Sequence, residues 1–580
     1  MKTRLLSSNQ TGWVLAISLL PVLGFWYVWN RYAINIPFWD DVFVVENSLI
    51  PIRESQSLGE KLRYWFGWYT QTEHRIVYNR LVFWLIYSLE GTINFRSAMV
   101  VGNLSLVGMA VFFYRLFQKL QLPSRYFLPV PFLLFGLASY ANQFWGMGSL
   151  SNFTVLFFTL ASLFFLVKPT WPGFALGIFF ALAATLTLGS GLLVWAVGLL
   201  VLFFQRRYAP LTGWAILTAL TIIIYLRGYV RPDWSPDPLK NALNPVNVLK
   251  AFAGFAGSTF DVLQPRQATF TGYELFGIEY TFSWIPLLAG GLLAGFAIYQ
   301  LLIRLVWPTF LVLTGKISES VASGPFLVLA GLLMFVMITA LAAALSRAGG
   351  DLSAVLNSKY KINSILLTIG CYALVLLVLE KNPREWAFRA FLLFAVSWHL
   401  AGYAQYLPNV LNTRQALLAD AINFRRNGSW LFYPVGIVTE LANRHTARVE
   451  KAGFYQFPAL TVVDSVAARS EGLPLNVGMR NRLGYVQLSE LTLPPPVDAR
   501  LGSFVVLKNQ DQRYFFPTTP RLAGWRVALT GRNFTKGFLT RILTQNLPAG
   551  AMTGSSYQLQ RYDLATKRTV ELNQNLTITP

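Results

Sequence analysis

The sequence predicts an all-α polytopic membrane protein that carries a small C-terminal domain of α+β or β-rich type. Three observations predict this fold class. Hydrophobic residues make up 54% of the 580 residues and charged residues only 13%, whereas soluble domains carry about 25% charged residues. Apolar runs of about 20 residues, the length that crosses a bilayer core, recur along most of the chain. The composition changes near residue 408, where short apolar runs begin to alternate with Gly, Pro and Asn.

Eleven runs are predicted as membrane-spanning helices. They begin near Trp13, Phe95, Tyr126, Asn152, Trp171, Leu188, Leu211, Trp284, Pro325, Asn363 and Trp386. The first run is too long for the apolar region of a typical signal peptide and lacks a small-residue cleavage site, so we expect it to remain as a span. The divisions within 126–168 and within 171–205 are the least sharply bounded.

Basic residues in the short connections predict the orientation, because Lys and Arg concentrate on the cytoplasmic side. With eleven spans, the basic connections share one side; their cations are Lys2, Arg4, Lys119, Arg125, Lys168, Arg206, Arg207, Arg304, Lys316, Lys381 and Arg384. The N-terminus is therefore expected in the cytoplasm and the C-terminus outside. The net charge of +22 is scattered between apolar runs rather than gathered in one stripe, so loop anchoring explains most of it and nucleic acid is not expected as a partner.

The predicted division is a membrane domain at 1–407 and an extracytoplasmic domain at 408–580. Two extracytoplasmic loops, 31–94 and 229–283, are long and contain Pro, Trp, Tyr and charged residues. Within the first loop, the segment 78–91 is apolar but short for a span, which favours an interfacial helix lying along the membrane.

The C-terminal domain is predicted to begin with helices and to continue with strands. The helical stretches are ALLADAINFRRNGSWLF and GIVTELANRHTARVEKAG. The predicted strands include GSFVVLKN, GWRVALTG and SYQLQRYDL, which are separated by Gly, Pro and Asn turns. A small mixed or β-rich domain is therefore expected outside the membrane.

An acidic pair, Asp40 and Asp41, follows the first span by about ten residues in the sequence INIPFWDDVFVVENSLI. Carboxylates at a membrane boundary are costly unless they are hydrated, paired or bound to a metal. A helix cap or a solvated loop would account for an isolated Asp-Asp. The long loop, which holds a second polar cluster, favours a functional role for the pair.

That second cluster lies in WYTQTEHRIVYNRLVFW, where Glu73, His74 and Arg75 precede the interfacial segment and Arg80 lies within it. Arg presents a fork of donors that suits phosphate, and His can donate to the same oxygens. The cluster therefore predicts either a lipid-phosphate site or a cationic anchor for anionic headgroups. No HxxxH or HExxH spacing is present, so a zinc site is not supported.

A third cluster, LSRAGGDLSAVLNSKYKINS, follows the ninth predicted span and contains Arg347, Asp351, Lys359, Tyr360 and Lys361. Positive charge is usually sparse in loops outside the cytoplasm. A functional anion site explains this departure, and a wrong number of spans would explain it as well.

The blocks PFWDDV, TEHRIVYNRL and SRAGGDLSAVLNSKY resemble those of bacterial multispan proteins of the GT-C superfamily of membrane glycosyltransferases. An early Asp pair in a long first outside loop is similar to the arrangement in that superfamily, and the resemblance extends to about residue 407. It implies an enzyme of the bacterial inner (plasma) membrane that takes a polyprenyl-phosphate-linked sugar as donor and a glycan, lipid or protein as acceptor.

The resemblance also implies roles for particular residues. Asp40 or Asp41 would be the general base, or would bind a divalent cation, Mg²⁺ or Mn²⁺; no other cofactor is implied. The residues implied to bind the donor's lipid phosphate are His74, Arg75, Arg80, Arg347, Lys359 and Tyr360. A carboxylate can accept the proton of the attacking hydroxyl, and fixed cations stabilise the leaving phosphate.

Two other functions stay open at this point. A transporter or flippase of lipid-linked saccharides would also need cations at the headgroup level, but it should show charged residues inside several spans and often an internal repeat. The predicted spans are mostly apolar and no repeat is visible. A non-catalytic envelope assembly protein would use the C-terminal domain to bind a partner.

Overall fold

The structure is a computed structural model that describes residues 8–67, 74–231, 237–263, 284–316, 322–349, 353–432, 437–459, 477–482, 485–509, 512–522, 534–547 and 556–577. Its helices are α1 Ser8–Tyr32, α2 Asp40–Val44, α3 Ile50–Glu54, α4 Leu58–Phe66, α5 Val77–Glu90, α6 Phe95–Lys119, α7 Pro129–Leu134, α8 Tyr140–Gln143, α9 Gly146–Leu166, α10 Trp171–Thr185, α11 Leu193–Phe204, α12 Tyr208–Leu226, α13 Pro238–Ala242, α14 Pro245–Ala256, α15 Trp284–Leu301, α16 Trp307–Leu313, α17 Gly324–Arg347, α18 Ser353–Leu356, α19 Lys361–Val378, α20 Lys381–Asn427 and α21 Ile437–Lys451. Its strands are β1 Gly478–Arg482, β2 Tyr485–Glu490, β3 Ser503–Lys508, β4 Arg513–Pro517, β5 Thr519–Leu522, β6 Phe534–Ile542, β7 Ser556–Asp563 and β8 Arg568–Thr577.

Eight helices among the described residues are long and apolar enough to cross a membrane. They are Gly12–Tyr32, Phe95–Lys119, Gly146–Leu166, Tyr208–Leu226, Trp284–Leu313, Gly324–Arg347, Ser358–Val378 and Lys381–Asn427. These helices agree in length and composition with the polytopic α-helical membrane protein that the sequence predicts. A small domain of two β-sheets follows the helices.

The predicted count of eleven spans is not confirmed. The run near Tyr126 is divided into short helices and 3-10 turns, in a segment where Pro129 and Pro131 lack the N–H that a continuous helix uses. The two runs that follow α9 form α10, with 15 residues, and α11, with 12 residues, which is short of the about 20 residues that a bilayer core requires.

Several basic connections lie together at one end of the helices, which we name the basic end. The Arg207 guanidinium donates to the carbonyl of Leu166 at 2.7 Å, and Arg125 forms an ion pair with Glu385 at 2.7 Å. Lys119 lines one cavity with Lys168 and a neighbouring cavity with Arg304. These contacts agree with the prediction that the basic connections share one side.

The first loop packs at the opposite end of the helices. Its helix α5 has 14 residues and is amphipathic: Asn79, Arg80 and Phe83 are buried, whereas Leu81 and Leu85 are exposed. The exposed leucines are four residues apart and therefore share one helix face. That arrangement provides the apolar face that the predicted interfacial helix needs.

The last apolar helix joins the two predicted domains. Helix α20 has 47 residues, about 70 Å at 1.5 Å per residue, so it continues well past a bilayer core of about 30 Å. The predicted boundary at 407/408 falls inside this helix. Near its C-terminal end, the Asn423 side chain pairs with the backbone of Phe515 through two hydrogen bonds of 2.8 Å. The strand domain is therefore attached directly to the extended part of the helix.

Two antiparallel four-stranded sheets form the C-terminal domain, with strand orders β1-β2-β6-β5 and β4-β3-β7-β8. In the second sheet, Val505 of β3 lies opposite Phe516 of β4 and Arg561 of β7. The predicted strands GSFVVLKN and SYQLQRYDL contain β3 and β7. The predicted strand GWRVALTG and the charged residues Glu73 and Asp351 lie outside the described residues.

An ionic junction connects the C-terminal domain with the first loop. Glu46, in the turn of π-helix that continues α2, is buried. Its two carboxylate oxygens lie 2.9 Å from His445 Nδ1 and 2.6 Å from Arg448 Nη1 of α21. The His445 ring also meets Phe43 edge-on. The C-terminal domain therefore holds the short helix that begins at Asp40.

Acidification is expected to weaken this junction. The hydrogen bond from His445 and the charges of His445 and Arg448 hold the pKa of Glu46 below its usual value of 4.5. A carboxyl whose pKa is lowered by folding stabilises the protein above its unfolded pKa, and this contribution is lost as the pH falls through the lowered value. Between about pH 5 and pH 3, the melting temperature of the wild type should therefore fall more steeply than that of Glu46→Gln. Parallel curves would contradict the assignment.

Candidate functional site

A cavity of about 550 Å³ opens at the end of the helices where the first loop packs. Five of the predicted site residues line it: Asp40, His74, Arg347, Lys359 and Tyr360. They come from α2, the segment before α5, the end of α17 and the turn before α19. The predicted residues Asp41, Arg75 and Arg80 do not line this cavity.

Asp40 reaches the cavity because the backbone turns sharply before it. Trp39 has a φ of +46°, a conformation that costs energy for a bulky residue, and α2 begins immediately after it. The Asp40 carboxyl is half-buried. Burial raises its pKa to about 6, against the opposing effect of the Lys359 charge. At neutral pH the carboxyl is mostly ionised and close to the pKa that suits a general base.

Asp41 has a different environment although it is the next residue. It is fully buried, and its two oxygens accept the N–H groups of Phe38 and Met147, both at 2.9 Å. Burial raises its pKa to about 8, and the two backbone hydrogen bonds oppose that rise. Asp41 therefore anchors the turn before α2 to the first residues of α9, and neither oxygen is directed at the cavity.

His74 lies against the glycine segment between α10 and α11. An added Cβ at Gly189 would lie 2.5 Å from His74 Nδ1 and 3.0 Å from Cε1. The absence of a side chain at Gly189 therefore allows the imidazole to occupy its place in the cavity wall. His74 is identifiable from the sequence as a candidate, whereas its dependence on a glycine more than one hundred residues away is not.

Replacement of Gly189 by Ala is expected to displace the His74 ring and to lower activity by roughly 10- to 100-fold, the cost of a misplaced polar group near reacting atoms. The clash involves the far end of a side chain, so the melting temperature should change little. Gly213→Ala is the matched control, because its added Cβ would meet only Phe174 Cζ at 3.8 Å. Equal activities of the two variants would show that the position of the His74 ring is unimportant.

Arg75 and Arg80 serve the backbone around the cavity. The Arg75 guanidinium donates to the carbonyls of Phe66, Tyr225 and Arg227. The Arg80 guanidinium, which is 2% exposed, donates to the carbonyls of Trp65 and Gly67 and to Ser48 Oγ. Both residues stabilise the first loop. Neither of them lines the cavity, so the structure gives no support to the lipid-phosphate role predicted for them.

Two cations converge on one aromatic ring in the cavity wall. The Arg347 guanidinium carbon lies 4.9 Å from the centre of the Tyr360 ring, and Lys359 Nζ lies 5.1 Å from it. The Lys359 carbonyl accepts a 2.8 Å hydrogen bond from Asn142 Nδ2. The end of α17 and the turn before α19 therefore present two positive charges to the cavity that Asp40 also lines.

Polar residues at the beginnings of apolar runs complete the wall. Asn152, Asn363 and Ser151 line the cavity, and Asn152 Nδ2 donates to Asn142 Oδ1 at 3.0 Å. Hydrogen bonds thus connect α9, through Asn142, to the Lys359 backbone. Asn152 and Asn363 were not predicted as site residues. The sequence feature that could have identified them is an amide side chain near the start of a run that is otherwise apolar.

The described residues offer a divalent cation few ligands at the cavity. Within the described part of the chain, no group of three or more His, Cys, Asp or Glu side chains is placed to hold a metal ion. Asp40 is the cavity's carboxylate among the lining residues, both Asp41 oxygens accept backbone N–H groups, and the Lys359 charge acts on Asp40. Of the two carboxylates considered for Mg²⁺ or Mn²⁺, Asp40 therefore faces the cavity and Asp41 does not.

Neither protein-family models nor curated proteins match this sequence. The chemistry of the cavity is accordingly assigned from its own residues.

Proposed function

We propose that the chain is a membrane glycosyltransferase that moves a sugar from a polyprenyl-phosphate donor to an extracytoplasmic glycan, lipid or protein acceptor. The observation that supports this function is the convergence of Asp40 with Lys359 and Arg347 on one cavity at the end of a membrane helix bundle. Glycosyl transfer from a lipid phosphate needs a proton acceptor and an anion site within one substrate length of each other.

In the proposed reaction, the acceptor hydroxyl oxygen attacks the anomeric carbon of the donor sugar while Asp40 accepts the hydroxyl proton. The bond between the anomeric carbon and the phosphate oxygen breaks, and the polyprenyl phosphate leaves with the bonding electron pair. Lys359 and Arg347 stabilise the charge that develops on that phosphate. His74 is placed to donate a hydrogen bond to a sugar hydroxyl or a phosphate oxygen.

The shape of the cavity is compatible with a lipid-linked donor. Its wall on α17 runs from Arg347 down to Thr339, a distance of about 12 Å along the helix axis. Val155, Leu156 and Leu193 provide an apolar wall beside it. A donor phosphate at the two cations would therefore leave its isoprenoid chain among apolar side chains, where burial is favourable.

The orientation follows from the basic end. If Lys and Arg in short connections face the cytoplasm, the cavity lies on the extracytoplasmic side, the N-terminus inside and the C-terminal domain outside. We propose the bacterial inner membrane as the location, because a polyprenyl-phosphate donor and an extracytoplasmic acceptor meet at its outer surface.

Transfer is expected to decline as the pH falls below about 6, because only the ionised Asp40 accepts a proton and its pKa is about 6. The rate should fall about tenfold for each pH unit below the pKa. Initial rates at saturating donor between about pH 5 and pH 8 would measure the profile. A rate that stays constant across pH 6 would exclude Asp40 as the base.

The function can be tested with the full-length protein in liposomes that contain a labelled polyprenyl-phosphate sugar and an envelope extract as acceptor. The proposal expects label in a new covalent product, and it expects Lys359→Met with Arg347→Met to raise the donor KM. Movement of the label across the bilayer without a new product would instead identify a flippase. Neither product nor movement, together with a partner bound through the C-terminal domain, would favour an assembly protein.

A further inference from the structure

Two neighbouring cavities lie at the basic end, far from the candidate functional site. One, of about 480 Å³, is lined by Lys119, Phe164, Lys168 and Arg207. The other, of about 730 Å³, is lined by Lys119 and Arg304. Both cavities include Pro325 near the N-terminus of α17, so one cleft runs between the ends of several helices.

The cations of this cleft are arranged around apolar side chains. Lys119 Nζ and Lys168 Nζ lie 5.2 Å and 5.8 Å from the centre of the same Phe164 ring. Arg207 donates to the carbonyls of Leu166 and Lys168 at 2.7 Å and 3.1 Å. Arg207 thus satisfies these carbonyls at the end of α9. Because the carbonyls do not need the Lys168 ammonium as a donor, that ammonium can bind an anion.

Among the described residues, the charged side chains that line the cleft are all positive. Neither cavity lining contains an Asp or Glu side chain, whereas four Lys and Arg side chains contribute to the two linings. The N-terminus of the 24-residue helix α17 adds its positive end beside them. Lys119 is exposed and the other three cations, Lys168, Arg207 and Arg304, are half-buried, so these like charges are accessible to an anion, which would stabilise them.

We propose that this cleft binds the phosphate headgroup of an anionic glycerophospholipid. Phe326, Val328 and Leu377 line the cavities beside the cations, so the site combines phosphate-binding charges with apolar walls at the end of membrane-spanning helices. A soluble phosphate would use the charges but not these walls, whereas a lipid uses both. Basic pockets between membrane helices commonly select anionic headgroups. This inference is independent of the proposed enzymatic function.

The test is native mass spectrometry of the full-length protein from detergent micelles that contain phosphatidylglycerol or phosphatidylcholine. Wild-type protein should retain phosphatidylglycerol in preference to phosphatidylcholine. Lys119→Gln with Lys168→Gln should weaken the retention of phosphatidylglycerol about tenfold or more. The matched control is Lys316→Gln with Lys381→Gln, which removes the same charge from two exposed positions that line neither cavity.

Three outcomes would overturn the inference. Equal weakening in the cleft pair and the control pair would show a general attraction of anionic lipid to positive charge. No preference for phosphatidylglycerol in the wild type would show that the cleft does not select an anionic headgroup. Equal competition by inorganic phosphate would show that a soluble anion is the ligand. Intact folding of both double variants, checked by their melting temperatures, makes the comparison valid.

Discussion

Replacement of Asp40 by Asn is expected to lower the rate of sugar transfer by about 10²- to 10⁴-fold, or about 3–5 kcal/mol of transition-state stabilisation. The amide has nearly the same shape as the carboxyl group but cannot accept the proton of the acceptor hydroxyl. The Asp40 side chain is half-buried at the cavity wall, so the substitution should leave the fold intact. Initial rates with labelled polyprenyl-phosphate sugar measure the effect on kcat.

Asp41→Asn separates this role from that of the neighbouring residue. The new amide keeps one acceptor oxygen but turns an NH₂ group toward a backbone N–H, either that of Phe38 or that of Met147. We expect a lower melting temperature and a transfer rate per folded molecule that remains well above that of Asp40→Asn. If Asp41→Asn folds normally but loses activity, and Asp40→Asn stays fully active, the roles of the two aspartates are reversed.

The choice between these two aspartates could not be made from the sequence. Both follow the same aromatic pair, and local pattern treats them alike. Their roles differ because Trp39 adopts a positive φ and because the N–H of Met147, 106 residues away, donates a hydrogen bond to the Asp41 carboxylate. Contacts at that separation depend on how α2 packs against α9, which local propensity does not encode.

The chemical type of the residues was enough to predict several members of the site, although the sequence did not reveal how the chain arranges them. His74, Arg347 and Lys359 were singled out because charged and polar groups are rare in an apolar chain, and the structure brings all three to the cavity of Asp40. Arg75 and Arg80 have the same chemistry, but backbone carbonyls of the first loop and of the end of α12 accept their hydrogen bonds. Sequence alone does not tell whether an arginine faces a ligand or its own backbone.

Hydropathy predicted the long helices but not the count. A run rich in apolar residues is compatible with a spanning helix and with shorter helices that are enclosed by protein. At Gly191 an added Cβ would lie 2.1 Å from the Ala184 carbonyl oxygen, so α10 and the segment before α11 must approach closely. The adjacent residues Leu188 and Gly189 form part of the cavity wall, and a hydropathy profile does not reveal this close approach.

The C-terminal domain was predicted as a separate unit, whereas the structure connects it closely with the first loop. Arg414 of α20 donates to the carbonyls of Tyr32 and Ala33, and Glu46 pairs with His445 and Arg448. The sequence contains each of these charges but no local signal that pairs residues some four hundred positions apart. Through these contacts the domain stabilises the loop that carries Asp40.

Replacement of Lys361 by Met is expected to destabilise the protein by about 3–5 kcal/mol, the usual cost of removing one partner of a buried ion pair. Lys361 Nζ lies 3.0 Å from Asp261 Oδ2 and 2.5 Å from the Tyr406 hydroxyl. The exposed fractions of Lys361, Asp261 and Tyr406 are 1%, 0% and 0%. Without the ammonium group, the Asp261 carboxylate would stay buried and lose the positive charge that lies 3.0 Å from it. A lowered melting temperature of the purified protein would measure the loss.

Lys359→Met is the matched control, because it removes the same charge two residues earlier from a side chain that lines the cavity. It should reduce donor binding and leave the melting temperature nearly unchanged. The double variant Asp261→Leu with Lys361→Met should recover much of the lost stability, since a buried pair replaced by apolar groups of similar volume is often neutral. If Lys361→Met melts like the wild type, the pair does not stabilise the start of α19, and the position of Lys359 must depend instead on the hydrogen bond from Asn142.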